Sequence, residues 1–321
     1  MILPINYSII YIRKTMPNSL HYFKVSQENP EDQLDINYFI LEKDPKIKEY
    51  IAHVKNIKET LITIKKLKEN KESQETVEKY YKKLFNDFND YSNCSELGCF
   101  VNACDTTRDL IKNDFNSFKK ITDLFIKKRV IDDKVPENWI QAIIDTNASR
   151  KKGKLGENKL LAFLTDTFGY KPVKNWEDFY KTKKCVVSFS KDIFHNDEVI
   201  KNLGINLKTK NQGKMLDLII KHDKKIFILE AKHLNTGGGE QNKQIDELIK
   251  ILELKEKKKD IYYISFLDGT YSNKLISEKI EKKSKKLFTQ RSQIEKYLKS
   301  QAAKNYWVNT AGFIQLFLDL G

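Results

Sequence analysis

Residues 215–232, Met-Leu-Asp-Leu-Ile-Ile-Lys-His-Asp-Lys-Lys-Ile-Phe-Ile-Leu-Glu-Ala-Lys, decide how the rest of the chain is organised. This stretch contains two apolar runs, over 215–220 and 226–232, with the polar segment 222–225 between them. Two apolar runs rich in β-branched residues and joined by a short polar turn are typical of a β-hairpin. The sequence therefore predicts two antiparallel strands here, joined by a turn at the centre of the stretch.

The predicted hairpin brings three charged side chains together. If the hairpin is symmetric about its turn, Asp217 lies directly opposite Glu230, and directly opposed residues on a sheet have Cβ atoms about 4.5–5.5 Å apart. Because side chains alternate along a strand, Lys232 lies on the same face as Glu230, and Ala231 turns away. Two carboxylates and an ammonium are thus expected to converge on one spot.

Opposed carboxylates destabilise a sheet, and a divalent cation between them removes that conflict. Mg²⁺ prefers oxygen ligands and is typically held by one or two carboxylates together with substrate phosphates. Asp217 and Glu230 are therefore candidate metal ligands, and the backbone oxygen of Ala231 is a further candidate. Lys232 would orient or deprotonate a metal-bound water or neutralise the phosphate under attack, and the metal would stabilise charge in an in-line displacement at phosphorus.

The same spacing also occurs by chance on the solvated surfaces of chains that are rich in Lys and Glu. Three features favour the catalytic interpretation. The carboxylates are embedded in apolar runs rather than in a charged stretch, a glycine-rich segment follows at 236–239, and a polar helix start at 240–244 leads into the apolar positions of 245–254.

Asp217, Glu230-Ala231-Lys232 and the order strand, turn, strand, loop, helix resemble the PD-(D/E)xK nucleases, and most closely the type II restriction endonucleases. The resemblance covers about residues 149–266. One departure is Leu216, which stands where the family's name-giving proline would be, although many members lack that proline.

The resemblance implies an α/β, restriction-endonuclease-like fold with a mixed central sheet flanked by helices. In such a fold Asp217 and Glu230 would bind Mg²⁺, and Lys232 would be the catalytic lysine. It implies magnesium-dependent hydrolysis of double-stranded DNA at a specific sequence by a homodimer, with a cognate DNA methyltransferase in the same restriction–modification system. Two alternatives stay open: a PD-(D/E)xK nuclease of repair, mobile-element or methylation-dependent type, and a non-catalytic nucleic-acid-binding relative. The three intact charged residues argue against the second.

A helix predicted over 155–168 precedes the sheet and carries Glu157. Because many nucleases of this fold place a glutamate from such a helix in the metal site, Glu157 is a further catalytic candidate; a surface glutamate favoured by the helix N-terminus is the alternative. A basic cluster at the helix entry suits phosphate contacts, although it is also compatible with an ordinary solvated charge run. Its members are Arg150, Lys151, Lys152 and Lys154.

Two further sets of residues are candidates for DNA binding. Lys208, Lys210 and Lys214 run directly into the first predicted strand of the hairpin. Lys243 and Gln244 begin the helix that follows it and are expected to support the site or to grip the DNA backbone.

Composition supports a polyanionic partner and excludes several classes of protein. The formal net charge is +14, and the sequence pI is about 9.3, a basic excess that favours nucleic acid. No apolar run approaches the length of a membrane span, and no basic segment precedes the first apolar residues as in a secretory signal, so the chain is expected to be cytoplasmic. The four cysteines lack the spacing of a zinc site and are interpreted as structural thiols.

Hydrophobic periodicity divides the chain into two regions. From residue 46 to about residue 125, apolar positions recur at helical spacing, and Pro136 lies in a predicted linker. We therefore expect a mostly helical N-terminal region over 1–135, used for DNA recognition or dimerisation, and a catalytic domain over 136–321. A strand predicted over 260–266 completes a strand–helix–strand crossover and should lie parallel to its neighbour.

Overall fold

The computed structural model describes residues 17–38, 43–91, 95–104, 106–146, 149–205, 215–277, 285–300 and 303–321. Within helices, the side chains of residues 36, 89–91 and 149–154 lie outside the described set. The chain forms two compact units, one comprising Met1–Phe39 with Lys151–Gly321, and the other comprising Ile40–Arg150. We call them the sheet unit and the helical unit.

The first described helix belongs to the sheet unit. Helix α1 (Ser19–Glu28) is capped by the Asn18 side chain, which accepts a hydrogen bond from the backbone N–H of His21. Its Tyr22 is fully buried in the apolar core that covers one face of the sheet. The first residues of the chain therefore do not group with the helical unit, and the division predicted at residue 135 does not coincide with the two units.

The helical unit is built from amphipathic helices around one main core. Its described helices are α2 (Ile47–Glu69), α3 (Gln74–Tyr91), α4 (Glu96–Val101), α5 (Arg108–Asn113), α6 (Phe115–Lys128) and α7 (Glu137–Thr146). Ile57, Leu61 and Ile64 of α2 recur at helical spacing and are buried in this core with Phe88 and Phe118. The helical N-terminal region expected from the sequence is confirmed.

Helix α7 extends the helical unit past the predicted boundary. Its Ile140 and Ile144 are buried together with Ile47 and Val54 of α2 in a second apolar cluster. Pro136, which the sequence placed in a linker, accepts through its carbonyl oxygen the N–H of Trp139 at 3.0 Å and so begins the first turn of this helix.

The sheet unit contains a six-stranded mixed sheet in the order β1 to β6. The strands are β1 (Lys171–Pro172), β2 (Lys184–Ser188), β3 (Leu218–His222), β4 (Lys225–His233), β5 (Ile261–Asp268) and β6 (Tyr306–Val308). The pairs β2–β3 and β3–β4 are antiparallel, whereas β1–β2, β4–β5 and β5–β6 are parallel. This arrangement confirms the predicted α/β fold with a mixed central sheet.

Helices cover both faces of the sheet because its strands are apolar on both sides. The helices of this unit are α1, α8 (Ser149–Ala162), α9 (Trp176–Lys181), α10 (Asn196–Leu203), α11 (Gly239–Leu252), α12 (Thr270–Ile276), α13 (Lys285–Leu298) and α14 (Thr310–Leu320). Phe227 and Leu229 of β4 face the core that contains Leu160 of α8 and Phe313 of α14. The intervening Ile228 faces the opposite core, next to α10 and α11.

Two sequence expectations about this unit are confirmed. The predicted crossover is present, since α11 connects β4 to the parallel strand β5. The predicted helix over 155–168 is also present; it begins earlier, at Ser149, and ends in a π-helical turn over Phe163–Thr167. Among the described residues, no helix combines the length and the apolar character needed to cross a membrane.

Candidate active site

The hairpin at the centre of the sheet has the register that the sequence predicts. Cross-strand partners run from His222↔Lys225 to Leu218↔Leu229, and Asp223 takes a positive φ of 52° in the turn. Asp tolerates this left-handed conformation better than most residues with a side chain. The symmetric strand pairing about the turn, which the sequence analysis assumed, is therefore confirmed from His222 back to Leu218.

One step beyond Leu218, Asp217 leaves the regular ladder. Its backbone N–H donates to the carbonyl oxygen of Leu229 at 3.0 Å, and its carboxylate Oδ2 accepts the N–H of Ala231 at 2.7 Å. The carboxylate of Asp217 thus accepts a backbone N–H of β4 that would otherwise be available to a backbone carbonyl of the neighbouring strand. This bond holds the carboxylate of Asp217 against the segment that carries Glu230 and Lys232.

Glu230 and Lys232 form an ion pair on β4. Glu230 is 2% exposed, and its Oε1 is hydrogen-bonded to Nζ of Lys232. The same ammonium donates to the carbonyl oxygen of Ala231 at 3.3 Å. A charged carboxylate is stable at such depth only with a partner, and the lysine two residues along the strand supplies one.

The electrostatics show that this spot has more negative than positive charge. Burial and then the negative charge of Glu230 raise the pKa of Asp217 to about 7, against the opposing effects of the Ala231 amide and the Lys232 ammonium. The charge of Glu157, a half-buried residue on α8, adds to this rise in pKa. The structure therefore brings all four residues that the sequence assigned to catalysis into one electrostatic neighbourhood.

The donor set suits a hard divalent cation. The buried carboxylate of Glu230, the half-buried carboxylate of Asp217 and the carbonyl of Ala231 offer oxygen atoms, which are the ligands that Mg²⁺ prefers. The single ammonium of Lys232 does not balance both carboxylates, and the pKa of Asp217 is raised first by desolvation and then by the charge of Glu230. The residues present therefore fit a magnesium ion.

Helix α11 begins directly after the glycine-rich exit from β4. Gly237 lies so close to Tyr271 that an added Cβ would be 2.4 Å from its ring, which explains a glycine there. Lys243 and Gln244 lie in the first turns of α11; the Lys243 side chain is 76% exposed and is 3.8 Å from the carboxylate of Glu240. Both candidates are thus near the exit of β4, and Lys243 is open to solvent.

The other candidates for DNA binding divide into two groups. Lys208, Lys210 and Lys214 lie outside the described residues. The cluster at 150–154 forms the first turns of α8, but the side chains of Arg150, Lys151, Lys152 and Lys154 lie outside the described set.

Sequence reasoning missed a buried polar network at the ends of β4 and β5. His233 is the last residue of β4, and its Nδ1 is 2.9 Å from Oδ1 of Asp268 at the end of β5. Lys159 and Tyr38 also bind Asp268. The sequence did contain one signal, because parallel strands end at the same sheet edge and Asp268 follows by two residues the strand predicted over 260–266 to lie parallel to a neighbour.

Comparison with known proteins gives one match. The family model of the Tsp45I type II restriction enzymes matches residues 162–300, which include the hairpin, α11, β5 and α13. No curated protein matches the chain, and no solved structure matches it. The family match, on a chain with this mixed sheet, supports a type II restriction endonuclease, a class of site-specific deoxyribonucleases.

Proposed function

We propose that this endonuclease hydrolyses phosphodiester bonds in double-stranded DNA at a specific sequence with the help of Mg²⁺, and that its chemistry is that of the PD-(D/E)xK nucleases. One observation carries the proposal: Asp217 is bonded through its carboxylate to the Ala231 amide, between the buried Glu230 and Lys232. Asp217, Glu230 and the carbonyl of Ala231 would hold the ion. When bound there, Mg²⁺ would polarise the phosphate and stabilise the charge that develops during displacement.

Lys232 is the catalytic lysine in this proposal. Its side chain is 14% exposed, and its ammonium is bound to Glu230 and Ala231, so its protons are held next to the proposed phosphate position. A fixed ammonium donor in a partly dry site orients an attacking water and offsets the negative charge of the phosphate more strongly than it would in bulk water.

We also assign Glu157 to the catalytic residues, in support of the two metal ligands. The supporting observation is that its negative charge contributes to the raised pKa of Asp217. An acid on α8 that interacts with Asp217 in this way would help to bind the cation or to position its water.

DNA binding is assigned to the sheet unit, whose basic residues outnumber its acidic residues. Outside residues 40–150 the chain contains 37 Lys and Arg against 25 Asp and Glu. Lys243 and Gln244, at the start of α11, are proposed to contact the DNA near the cleaved bond. The lysines and the arginine of 150–154, together with Lys208, Lys210 and Lys214, are proposed to contact phosphates.

The remaining assignments follow from the proposed activity. A homodimer would place two such sites on the two strands of a duplex, and a cognate DNA methyltransferase would protect the host sequence from cleavage. The N-terminal helical region would serve DNA recognition or dimerisation. We propose that the enzyme acts in the cytoplasm, where its substrate is found.

Digestion of plasmid DNA tests the proposal directly. The wild-type protein should cut the plasmid at one sequence when Mg²⁺ is present and leave it intact with EDTA, and sequencing of the ends identifies the target. Asp217→Ala and Glu230→Ala should each abolish cleavage while circular dichroism stays native. Glu177→Ala, which removes an exposed carboxylate on α9, should cut normally. Normal cleavage by either active-site variant would refute the assignment of the site.

A further inference from the structure

A lysine is buried among three carboxylates in the sheet unit. Lys159 of α8 has a side chain that is only 1% exposed, and its Nζ lies 2.5 Å from Asp35, 2.9 Å from Asp268 and 2.8 Å from the hydroxyl of Thr310. Glu31 completes the set, since its oxygen lies within 4.8 Å of the oxygens of Asp35 and Asp268. We call these residues the Lys159 cluster.

Three acids so close together resemble a metal site, but a cation is already present. Burial acts to lower the pKa of Lys159, yet the negative charges of Asp268 and Glu31 outweigh that effect and hold its pKa above the usual value. Lys159 is therefore an ammonium, and it occupies the place that a metal ion would otherwise take between Asp35 and Asp268.

Asp268 connects the Lys159 cluster to the catalytic strand. Its Oδ2 accepts the hydroxyl of Tyr38 at 2.8 Å and the ammonium of Lys159, and its Oδ1 is 2.9 Å from Nδ1 of His233. The ring of Tyr38 stacks on that of His233 with centroids 3.7 Å apart. Asn235 fixes the other ring nitrogen of the histidine at 3.0 Å.

Both ends of this connection are adjacent to proposed catalytic residues. His233 directly follows Lys232 on β4, and Lys159 follows Glu157 by two residues on α8. The Lys159–Asp268 ion pair and the Asp268–His233 hydrogen bond together therefore join the helix that carries Glu157 to the strand that carries Lys232. A buried ion pair contributes little net stability compared with apolar residues of the same size. A role in positioning the residues of the proposed active site therefore explains this pair better than a role in stability.

We propose that Lys159 and Asp268 are positioning residues that fix helix α8 against the end of β4 and so hold Glu157 and Lys232 in their working geometry. The inference rests on the proposed function of those two residues. Residues that support catalytic groups in this way typically affect activity by about 10–100-fold when they are replaced.

The first test measures the rate of the chemical step in the full-length protein. Lys159→Met keeps the length of the side chain and removes its charge. Bound to target DNA before Mg²⁺ is added, this variant should cleave about 10–100-fold more slowly in a single turnover, with a nearly unchanged Kd for DNA. Arg291→Met is the matched control: it removes a cation that is 7% exposed and whose contacts include Glu295, Leu275 and the ring of Phe23. It should cleave at the wild-type rate.

The second test restores the missing cation. Lys159→Ala lacks three carbons and an ammonium, which n-propylammonium supplies, so added n-propylammonium should raise the cleavage rate of this variant. The neutral analogue n-propanol should not. Should Lys159→Met fail to fold, Asp268→Asn takes its place, because the amide keeps the size of the side chain and removes its charge.

These experiments separate the positioning role from a purely structural one. A folded Lys159→Met that cleaves at the wild-type rate would overturn the proposal, and so would an equal loss of rate in Arg291→Met. Failure of the proposed function has a different signature, in which the wild-type protein does not cleave with Mg²⁺ or Asp217→Ala cleaves normally.

Discussion

Two groups of carboxylates in the described part of the sheet unit each contain a lysine, and the position of that lysine distinguishes them. Lys159 is 1% exposed and contacts two carboxylates and a hydroxyl, so an ammonium already lies between Asp35 and Asp268. Lys232 is 14% exposed and is paired with Glu230, while Asp217 keeps a raised pKa. The space between Asp35 and Asp268 is thus filled by an ammonium, and the hairpin site is the one that we propose for a metal ion.

The pair of carboxylates should make the metal-free protein less stable as the pH rises. The pKa of Asp217 rises from its ordinary 3.8 to about 7 on folding, so between these values the folded state binds more protons at this group than the unfolded state does. The free energy of unfolding therefore falls as the pH rises through the window. The amide of Asp217→Asn does not titrate, so we expect the Tm of this variant in EDTA not to show the decrease that Asp217 causes in the wild-type protein.

The measurement is Tm in EDTA over the pH range from about 4 to 8. Glu177→Gln, which changes an exposed carboxylate that is 74% accessible, should follow the wild-type curve. Parallel curves for Asp217→Asn and the wild-type protein would show that the carboxylate of Asp217 is not destabilised in the folded state.

Loss of the Lys232 ammonium should affect the chemical step more than DNA binding. Lys232→Met keeps the buried stem and removes the proton donor, so we expect the single-turnover cleavage rate to fall by about 10²–10⁴-fold, as for the loss of a general acid or base. The Kd for target DNA, measured by gel shift with Ca²⁺, should change much less. A variant that cleaves within a few-fold of the wild-type rate would remove Lys232 from the catalytic residues.

Among the secondary-structure elements, the sequence predicted the pairings of strands that are neighbours along the chain. Two apolar runs and the polar segment 222–225 between them were sufficient for the hairpin and its register from Leu218 to His222. The strand–helix–strand order was sufficient for the parallel pairing of β4 and β5. Both pairings depend on contacts between segments that are close in sequence, where the hydrophobic period and the length of the connection limit how two strands can pair.

Contacts between distant segments were not predicted. Tyr38 reaches Asp268 across 230 residues, and Lys159 reaches it across 109; no spacing rule connects such positions. Helix α1 was also missed, because its place is set by burial of Tyr22 against the core on one face of the sheet rather than by a strong pattern of its own. The departure of Asp217 from the ladder likewise depends on a single side-chain bond to Ala231.

The loop that ends β5 should tolerate no side chain at Gly269. This residue has a φ of +84°, and an added Cβ would be 2.5 Å from the carbonyl oxygen of Leu234. Gly169 has a φ of +70°, but nothing lies within 4 Å of its added Cβ. Gly169→Ala should therefore cost only the backbone term of about 1–2 kcal/mol, whereas Gly269→Ala adds overpacking and should cost about 2–5 kcal/mol.

Urea unfolding compares the two variants. Cleavage should also fall in Gly269→Ala, because the backbone oxygen that must move belongs to the segment directly after Lys232 and His233. Gly169→Ala should cut at the wild-type rate. An equal loss of stability in the two variants would show that the close approach to Leu234 carries no energetic cost.

At the scale of the whole molecule, the positive charge is unevenly distributed. Residues 40–150 contain 21 Lys and Arg against 19 Asp and Glu, so the helical unit is nearly neutral. Nearly all of the net charge of +14 therefore belongs to the rest of the chain. Since phosphate neutralisation dominates the salt dependence of DNA binding, that dependence should arise in the sheet unit.

Two exposed lysines test this assignment, one in each unit. Lys243 of α11 is 76% exposed and 3.8 Å from Glu240, and Lys65 of α2 is 44% exposed and 4.0 Å from Glu69. Each is an exposed helical lysine paired with one glutamate. Replacement of either lysine therefore removes one comparable ion pair. Of the two, only Lys243 lies at the exit of β4, where we propose that the DNA backbone binds.

A lysine that contacts a phosphate releases a counterion from the DNA when it binds. Lys243→Ala should therefore lower the slope of log K against log salt by about 0.9, and it should do so equally for target and scrambled duplexes, because a phosphate carries no sequence information. Lys65→Ala should leave the slope unchanged. The position of cleavage should be the same in both variants. A changed cut sequence in Lys243→Ala would instead make this lysine a base-reading residue, and a lower slope in Lys65→Ala would place DNA on the helical unit.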